Sequence, residues 1–161
     1  MNYSRVLILD FGSQVTKLIA RKIRELNIYC EILPYKTNIK NIKQISPDCI
    51  ILSGSPASVH DKKPPKPDLN IFDLDLPILG ICYGAQFLSK ILGGKVAKSK
   101  TREFGPSKLK KISNSKLLKN IKNNEISWMS HGDTILELSS EMTLIGSTDD
   151  VKNAAFGMNN E

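Results

Sequence analysis

The run Arg5-Val-Leu-Ile-Leu-Asp10 is apolar at every interior position and is closed by an acid, with Gly12 two residues on. A strand with one wet face alternates polar and apolar residues. A run without alternation is buried on both faces, as in a parallel sheet. From Gln14 the period changes. Val15, Leu18, Ile19, Ile23 and Leu26 recur at helical spacing, with Lys17, Arg21, Lys22 and Arg24 on other faces. Ser13 is the predicted N-cap and Asn27 the predicted stop. Ile28–Leu33 reads as a second strand ended by Pro34, 39–45 as a short helix, and Asp48–Ser53 as a third strand. The order β-α-β-α-β requires crossovers. The expected fold class is therefore α/β, three-layered, with a mostly parallel central sheet and helices on both faces.

His60-Asp-Lys-Lys-Pro-Pro-Lys-Pro-Asp68 can be neither helix nor central strand and is expected to be an exposed loop. A further strand, Pro77–Ile81, runs directly into Cys82. A helix follows, with Phe87, Leu88, Ile91 and Leu92 as its expected buried side and Gly93-Gly94 as its end. Shorter strands are expected at roughly 106–112, 125–130, 142–148 and 153–158. The whole chain, 1–161, fits a single domain.

Charge narrows the function classes. The net charge is +7, but lysine outnumbers arginine 19 to 4, whereas readers of bases and phosphates favour the arginine fork. The excess is local: residues 90–122 carry +10 and the remainder −3. This is the pattern of a solvated or docking face, and no nucleic-acid partner is expected. No apolar stretch approaches membrane-spanning length, and the start runs straight into a strand, so neither a membrane partner nor a signal peptide is expected. The three cysteines, Cys30, Cys49 and Cys82, have no paired or metal-like spacing, which fits a reducing compartment and a cytoplasmic location. No metal site is expected.

The chemistry concentrates at Gly80-Ile-Cys-Tyr-Gly84. A strand that ends in Gly-x-Cys-x-Gly and opens a helix is the thiol form of a nucleophile elbow. The reversing backbone crowds the positions two before and two after the nucleophile, which suits Gly80 and Gly84. The turn lifts the sulfur to the carboxyl edge of the sheet, at a helix N-terminus expected to lower its pKa. The Tyr83 backbone N–H can donate to an oxyanion. A second donor is expected from Gly54 and Ser55, in the loop after the third strand. The bland alternative is a cysteine packed between glycines in a strand-helix corner.

Gly80-Ile-Cys-Tyr-Gly-Ala-Gln86 resembles the nucleophile motif of the class I, triad-type glutamine amidotransferases. Ile8-Leu-Asp-Phe-Gly-Ser-Gln14, Arg102-Glu-Phe-Gly105 and Trp128-Met-Ser-His-Gly-Asp133 resemble, within that family, the amidotransferase domain of GMP synthases. The resemblance implies the flavodoxin-like fold of the family. It also implies that Cys82 attacks the side-chain amide of L-glutamine, giving a glutamyl thioester and ammonia. Tyr83, Gly54 and Ser55 would supply the oxyanion amides. Gln86, Ser130 and His131 would hold the glutamine. In the family the ammonia passes to a synthetase (ATP pyrophosphatase) domain that uses ATP and Mg2+ to aminate XMP to GMP. The amidotransferase domain itself needs no cofactor.

Two departures from the family pattern stand out. Ser55 replaces the second glycine of the oxyanion loop; held at positive φ it would carry strain, and it can bias the loop towards a resting conformation instead. The family's His-x-Glu pair would fall beyond the Ala154–Met158 segment, where this chain reaches Glu161. The expectation is a domain short of its C-terminal strand, without the synthetase domain, and with negligible turnover alone. His60 is expected at the surface, and His131 is assigned to substrate gripping. The alternatives are a flavodoxin-like thiol protein of redox or deglycase type, and a non-catalytic docking module using residues 90–122.

Overall fold

The computed structural model describes the backbone of residues 4–159; the side chains of residues 99–104 and 130–131 lie outside that description. By their internal contacts the residues fall into two compact units, 1–87 and 88–161.

The first unit holds β1 (Arg5–Asp10), α1 (Thr16–Glu25), β2 (Tyr29–Pro34), α2 (Ile39–Ile45), β3 (Cys49–Leu52), a 3-10 helix (Leu69–Leu74) and β4 (Ile78–Gly80). The strands form one parallel sheet in the order β2-β1-β3-β4. Successive side chains of a strand point to opposite faces. On one face Ile8, Ile51 and Cys30 pack with Ala20 of α1, joined by Ile19 and Ile23. On the other, Leu7, Leu9, Ile50 and Leu52 are all fully buried. The unbroken apolar run of β1 thus records a strand covered on both sides.

Several boundaries differ from the sequence expectations. Ser13 does not cap α1. Its hydroxyl accepts the Val15 N–H in a tight turn, and the helix starts at Thr16 with Val15 in the capping position. Leu18 and Leu26, expected on the buried face, are exposed, and Ala20 takes their place. Asn27 does end the helix, at φ 59°. Asn38 caps α2 by accepting the Asn41 N–H. The proline-rich loop is not wholly exposed: His60 faces solvent, but Pro67 is buried.

Helix α3 (Tyr83–Ile91) follows β4. Phe87 and Leu88 are buried, but Ile91 is exposed. Gly93, at φ +91°, turns the chain away, and the Gly94 N–H returns to the Ser89 carbonyl. The second unit is an antiparallel sheet of β5 (Lys95–Lys111), β6 (Glu125–Glu137), β7 (Met142–Ser147) and β8 (Ala155–Met158), ordered β6-β5-β7-β8. The expectation of one mostly parallel sheet therefore holds only for the first unit. The second half lacks the helical crossovers that parallel pairing needs, and its strands pair through direct returns. Strands β5 and β6 are also longer than their apolar segments suggested, because backbone pairing continues through the polar stretch around Glu103 and His131.

Candidate active site

The elbow takes shape from backbone crowding. Cys82 sits at φ +50°, a left-handed conformation that a residue with a Cβ adopts only when its surroundings impose it. A methyl group on Gly84 would lie 2.3 Å from the Leu52 carbonyl oxygen. One on Gly80 would lie 2.5 Å from the Ala85 nitrogen. Both glycines are therefore required by the close approach of backbone to backbone, as their spacing predicts. The Ile81 N–H donates to the Leu52 carbonyl and the Gln86 N–H to the Cys82 carbonyl, so the turn is tied to β3 on one side and to α3 on the other.

The oxyanion loop lies against the nucleophile. A methyl group on Gly54 would stand 3.5 Å from Cys82 Cβ and 3.4 Å from Ser13 Oγ. Three strand ends thus meet at one edge of the parallel sheet: β1 through Ser13, β3 through Gly54 and β4 through Cys82. This is where doubly wound sheets carry their ligands. Ser55 is not at positive φ, so the strain considered for it does not arise. Its hydroxyl accepts the Ala57 N–H.

The expected acidification of Cys82 is not found. The thiol is half-buried, and burial pushes its pKa up, with no cation among the described residues to offset the cost of desolvating a thiolate. Burial pushes Cys30 and Cys49 in the same direction.

The Tyr83 side chain has a role the motif did not suggest. It is 1% exposed, its ring lies 5.5 Å from that of Phe11, and its hydroxyl donates to the Pro65 carbonyl at 2.5 Å. Gln86 is buried on α3, one turn past Cys82. Ser130 and His131 are on β6, opposite Phe104 and Glu103 in register; their side chains, with those of Arg102 to Phe104, lie outside the described residues. In the same motif Asp133 is buried and Trp128 is 78% exposed.

Sequence reasoning passed over Asp10 and Ser53. Asp10 Oδ1 accepts the Thr16 hydroxyl at 2.8 Å and the Gly12 N–H at 3.0 Å. Ser53, fully buried, accepts the Phe11 N–H at 2.9 Å and donates to the Gly54 carbonyl at 2.9 Å. Asp10 lies in the Ile8–Gln14 run that resembles the family, but for Ser53 the signal in the sequence was polarity at the end of an apolar strand.

Residues 7–160 match the family model for class I glutamine amidotransferases. The chain belongs to that family. It is 46% identical to a glutamine-hydrolysing GMP synthase of Gloeothece citriformis, over 97% of this chain and 29% of that protein. It is 50% identical to the corresponding protein of Chlorobium chlorochromatii, over 94% of this chain and 30% of the other. The chain thus spans about three tenths of the length of these relatives. Among solved structures, a candidate GMP synthase component from Thermoplasma acidophilum superposes with a TM-score of 0.85 at 27% identity, over all of this chain and 81% of that one. A glutamine amidotransferase of Thermotoga maritima shares the fold, with a TM-score of 0.80 at 22% identity over 98% and 73% of the two chains. This is a glutamine amidotransferase domain related to those of GMP synthases. No helix among its described residues is long and apolar enough to cross a membrane.

Proposed function

We propose that this amidotransferase domain hydrolyses L-glutamine through Cys82 and supplies ammonia for the ATP-dependent amination of XMP to GMP. The observation that carries the reading is the approach of Gly54 to Cys82 at a positive-φ elbow, which sets a backbone loop beside the sulfur. Attack of the thiolate on the glutamine carboxamide carbon makes a C–S bond and a tetrahedral oxyanion. Collapse expels ammonia, once the departing nitrogen has gained a proton, and leaves a glutamyl thioester that water hydrolyses to glutamate. Amides of Tyr83, Gly54 and Ser55 are the assigned oxyanion donors, and Gln86, Ser130 and His131 the assigned glutamine contacts. The burial of both faces of the parallel sheet supports the three-layer arrangement with helices on either side. Adenylation and amination of XMP, with ATP and Mg2+, belong in this reading to a synthetase domain such as would account for the greater length of the relatives.

The test is labelling by a glutamine-like diazo-ketone or chloroketone, read by peptide mass spectrometry. The expected result is one adduct on Cys82, none on Cys30 or Cys49, and protection by glutamine. Labelling that ignores glutamine would favour the redox or deglycase alternative. Glutaminase activity that is lost in His131→Ala would make His131 the base.

A further inference from the structure

The Ser53 hydroxyl is engaged on both sides. It is fully buried, accepts the Phe11 N–H at 2.9 Å, and donates its one proton to the Gly54 carbonyl at 2.9 Å; Asp10 Oδ1 is a more distant acceptor at 3.5 Å. The Gly54 carbonyl and the Ser55 N–H belong to the same peptide unit, which is planar and trans, since the described chain has no cis bonds. Fixing the carbonyl at one end therefore fixes the direction of the N–H at the other. That N–H is one of the assigned oxyanion donors, and among the described residues it has no acceptor of its own.

We propose that Ser53 is a positioning residue for the oxyanion loop: its hydroxyl holds the Gly54 carbonyl and so aims the Ser55 N–H. The anchor runs back into β1. Phe11 N–H pins the Ser53 oxygen, and Asp10, which receives the Thr16 hydroxyl and the Gly12 N–H, fixes the turn from which Phe11 donates. The sequence Asp10-Phe-Gly-Ser13 thus orients the loop after β3 as well as opening α1. A hydroxyl-free side chain at 53 would leave the peptide free to rotate, and an oxyanion donor works only if its direction is set before the reaction.

The proposal rests on Cys82 being a glutamine-directed nucleophile, and the test separates the two. Wild-type chain and the variants Ser53→Ala and Ser53→Thr are inactivated with a glutamine-like chloroketone, whose carbonyl passes through an oxyanion, and with iodoacetamide, whose displacement does not. Ser53→Ala should lower the maximal chloroketone inactivation rate about 10- to 100-fold, less than or equal to the loss of a whole donor. It should leave the chloroketone concentration for half-maximal rate and the iodoacetamide rate at Cys82 within about twofold. Ser53→Thr, which keeps the hydroxyl, should recover most of the rate. An unchanged chloroketone rate in Ser53→Ala overturns the proposal. So does a parallel fall with iodoacetamide, which would mean that the elbow itself was disturbed. Failure of the wild type to react selectively at Cys82 removes the glutamine reading, and this proposal with it.

Discussion

Tyr83 and Pro65 are joined by a hydrogen bond of 2.5 Å, so the residue after the nucleophile holds down the proline-rich loop. The phenol is 1% exposed and its ring lies beside Phe11, so the loop is tied to the first turn of α3 and to the end of β1 at once. Tyr83→Phe keeps the packing and removes the bond. A neutral hydrogen bond contributes about 1 kcal/mol, which corresponds to about a fivefold rise in the open population of the loop. Within the loop Lys62 is the one lysine not followed by proline. Tryptic cleavage after Lys62 should therefore quicken about fivefold in Tyr83→Phe. An unchanged rate would mean that the prolines alone hold the loop.

Gly84→Ala should be among the costliest single substitutions in the first unit. The added methyl meets backbone, the Leu52 carbonyl oxygen at 2.3 Å, which cannot swing aside as a side chain would. Overpacking of this kind costs about 3 kcal/mol. Gly132→Ala is the matched control: among the described residues nothing lies within 4 Å of its added methyl, and a change within about 0.5 kcal/mol is expected. Urea denaturation of the two variants decides it; equal midpoints would contradict the crowding argument.

Gly54→Ala should separate function from stability. Its methyl would stand 3.4 Å from Ser13 Oγ and 3.5 Å from Cys82 Cβ, near or within ordinary contact distance. The fold should tolerate it, with a loss of at most about 1 kcal/mol. The same methyl would project beside the sulfur, into the space that the reading gives to the glutamine carboxamide. Labelling of Cys82 by the glutamine-like chloroketone should fall at least about tenfold, because small displacements of reacting groups cost that much or more. Full labelling in a folded variant would move the substrate elsewhere.

The first unit was the more legible because its signals are local. The apolar runs at Val6–Leu9 and Ile50–Leu52 and the helical spacing of Ile19 and Ile23 each follow from the burial of one segment. The glycine spacing around Cys82 was readable for a similar reason, since only a reversing backbone demands it at both positions. What sequence could not supply was pairing at a distance. Strand β5 continues to Lys95 because β6 is opposite it, although the segment is lysine-rich and lacks a strand-like pattern. Ser53 and Asp10 read as the ordinary polar ends of strands, and only their meeting across β1 and β3 makes them partners of the site. Ser13 misled because its favoured use, as an N-cap, competes with the turn it makes to Val15.

Asp68 predicts an acid-dependent loss of stability. Its carboxylate accepts the Ile39 N–H at 2.9 Å and the Asn70 N–H at 3.1 Å, and these hold its pKa below the usual carboxylate range, the Ile39 bond first. A carboxylate whose pKa is depressed on folding contributes stability above its unfolded pKa of about 4, and that contribution is lost as pH falls through the lower, folded value. Asp68→Asn should therefore lower the melting temperature by a constant amount above about pH 4.5, and the difference should shrink as the pH falls towards 3. A difference independent of pH would assign the role of Asp68 to shape rather than charge.

The raised pKa of Cys82 sets the conditions under which its reactivity can be seen. Burial disfavours the thiolate, and no cation among the described residues restores it. Because the group is an acid with its pKa pushed up, less thiolate is present at pH 7 than in a free thiol, and the rate of alkylation should climb with pH. The iodoacetamide rate at Cys82, read by peptide mass spectrometry between pH 6 and 10, should have its midpoint above the free-thiol value of about 8.5. Its rate at pH 7 should be below that of a free cysteine in the same buffer. The field at the start of α3 acts in the opposite direction. A midpoint below 8 would mean that this field outweighs desolvation, and one below 7 that Cys82 rests mainly as the thiolate before glutamine arrives. A midpoint above 8.5 would mean that activation has to come with the substrate, through groups that bind it, and that Cys82 alone is a positioned thiol rather than a standing nucleophile.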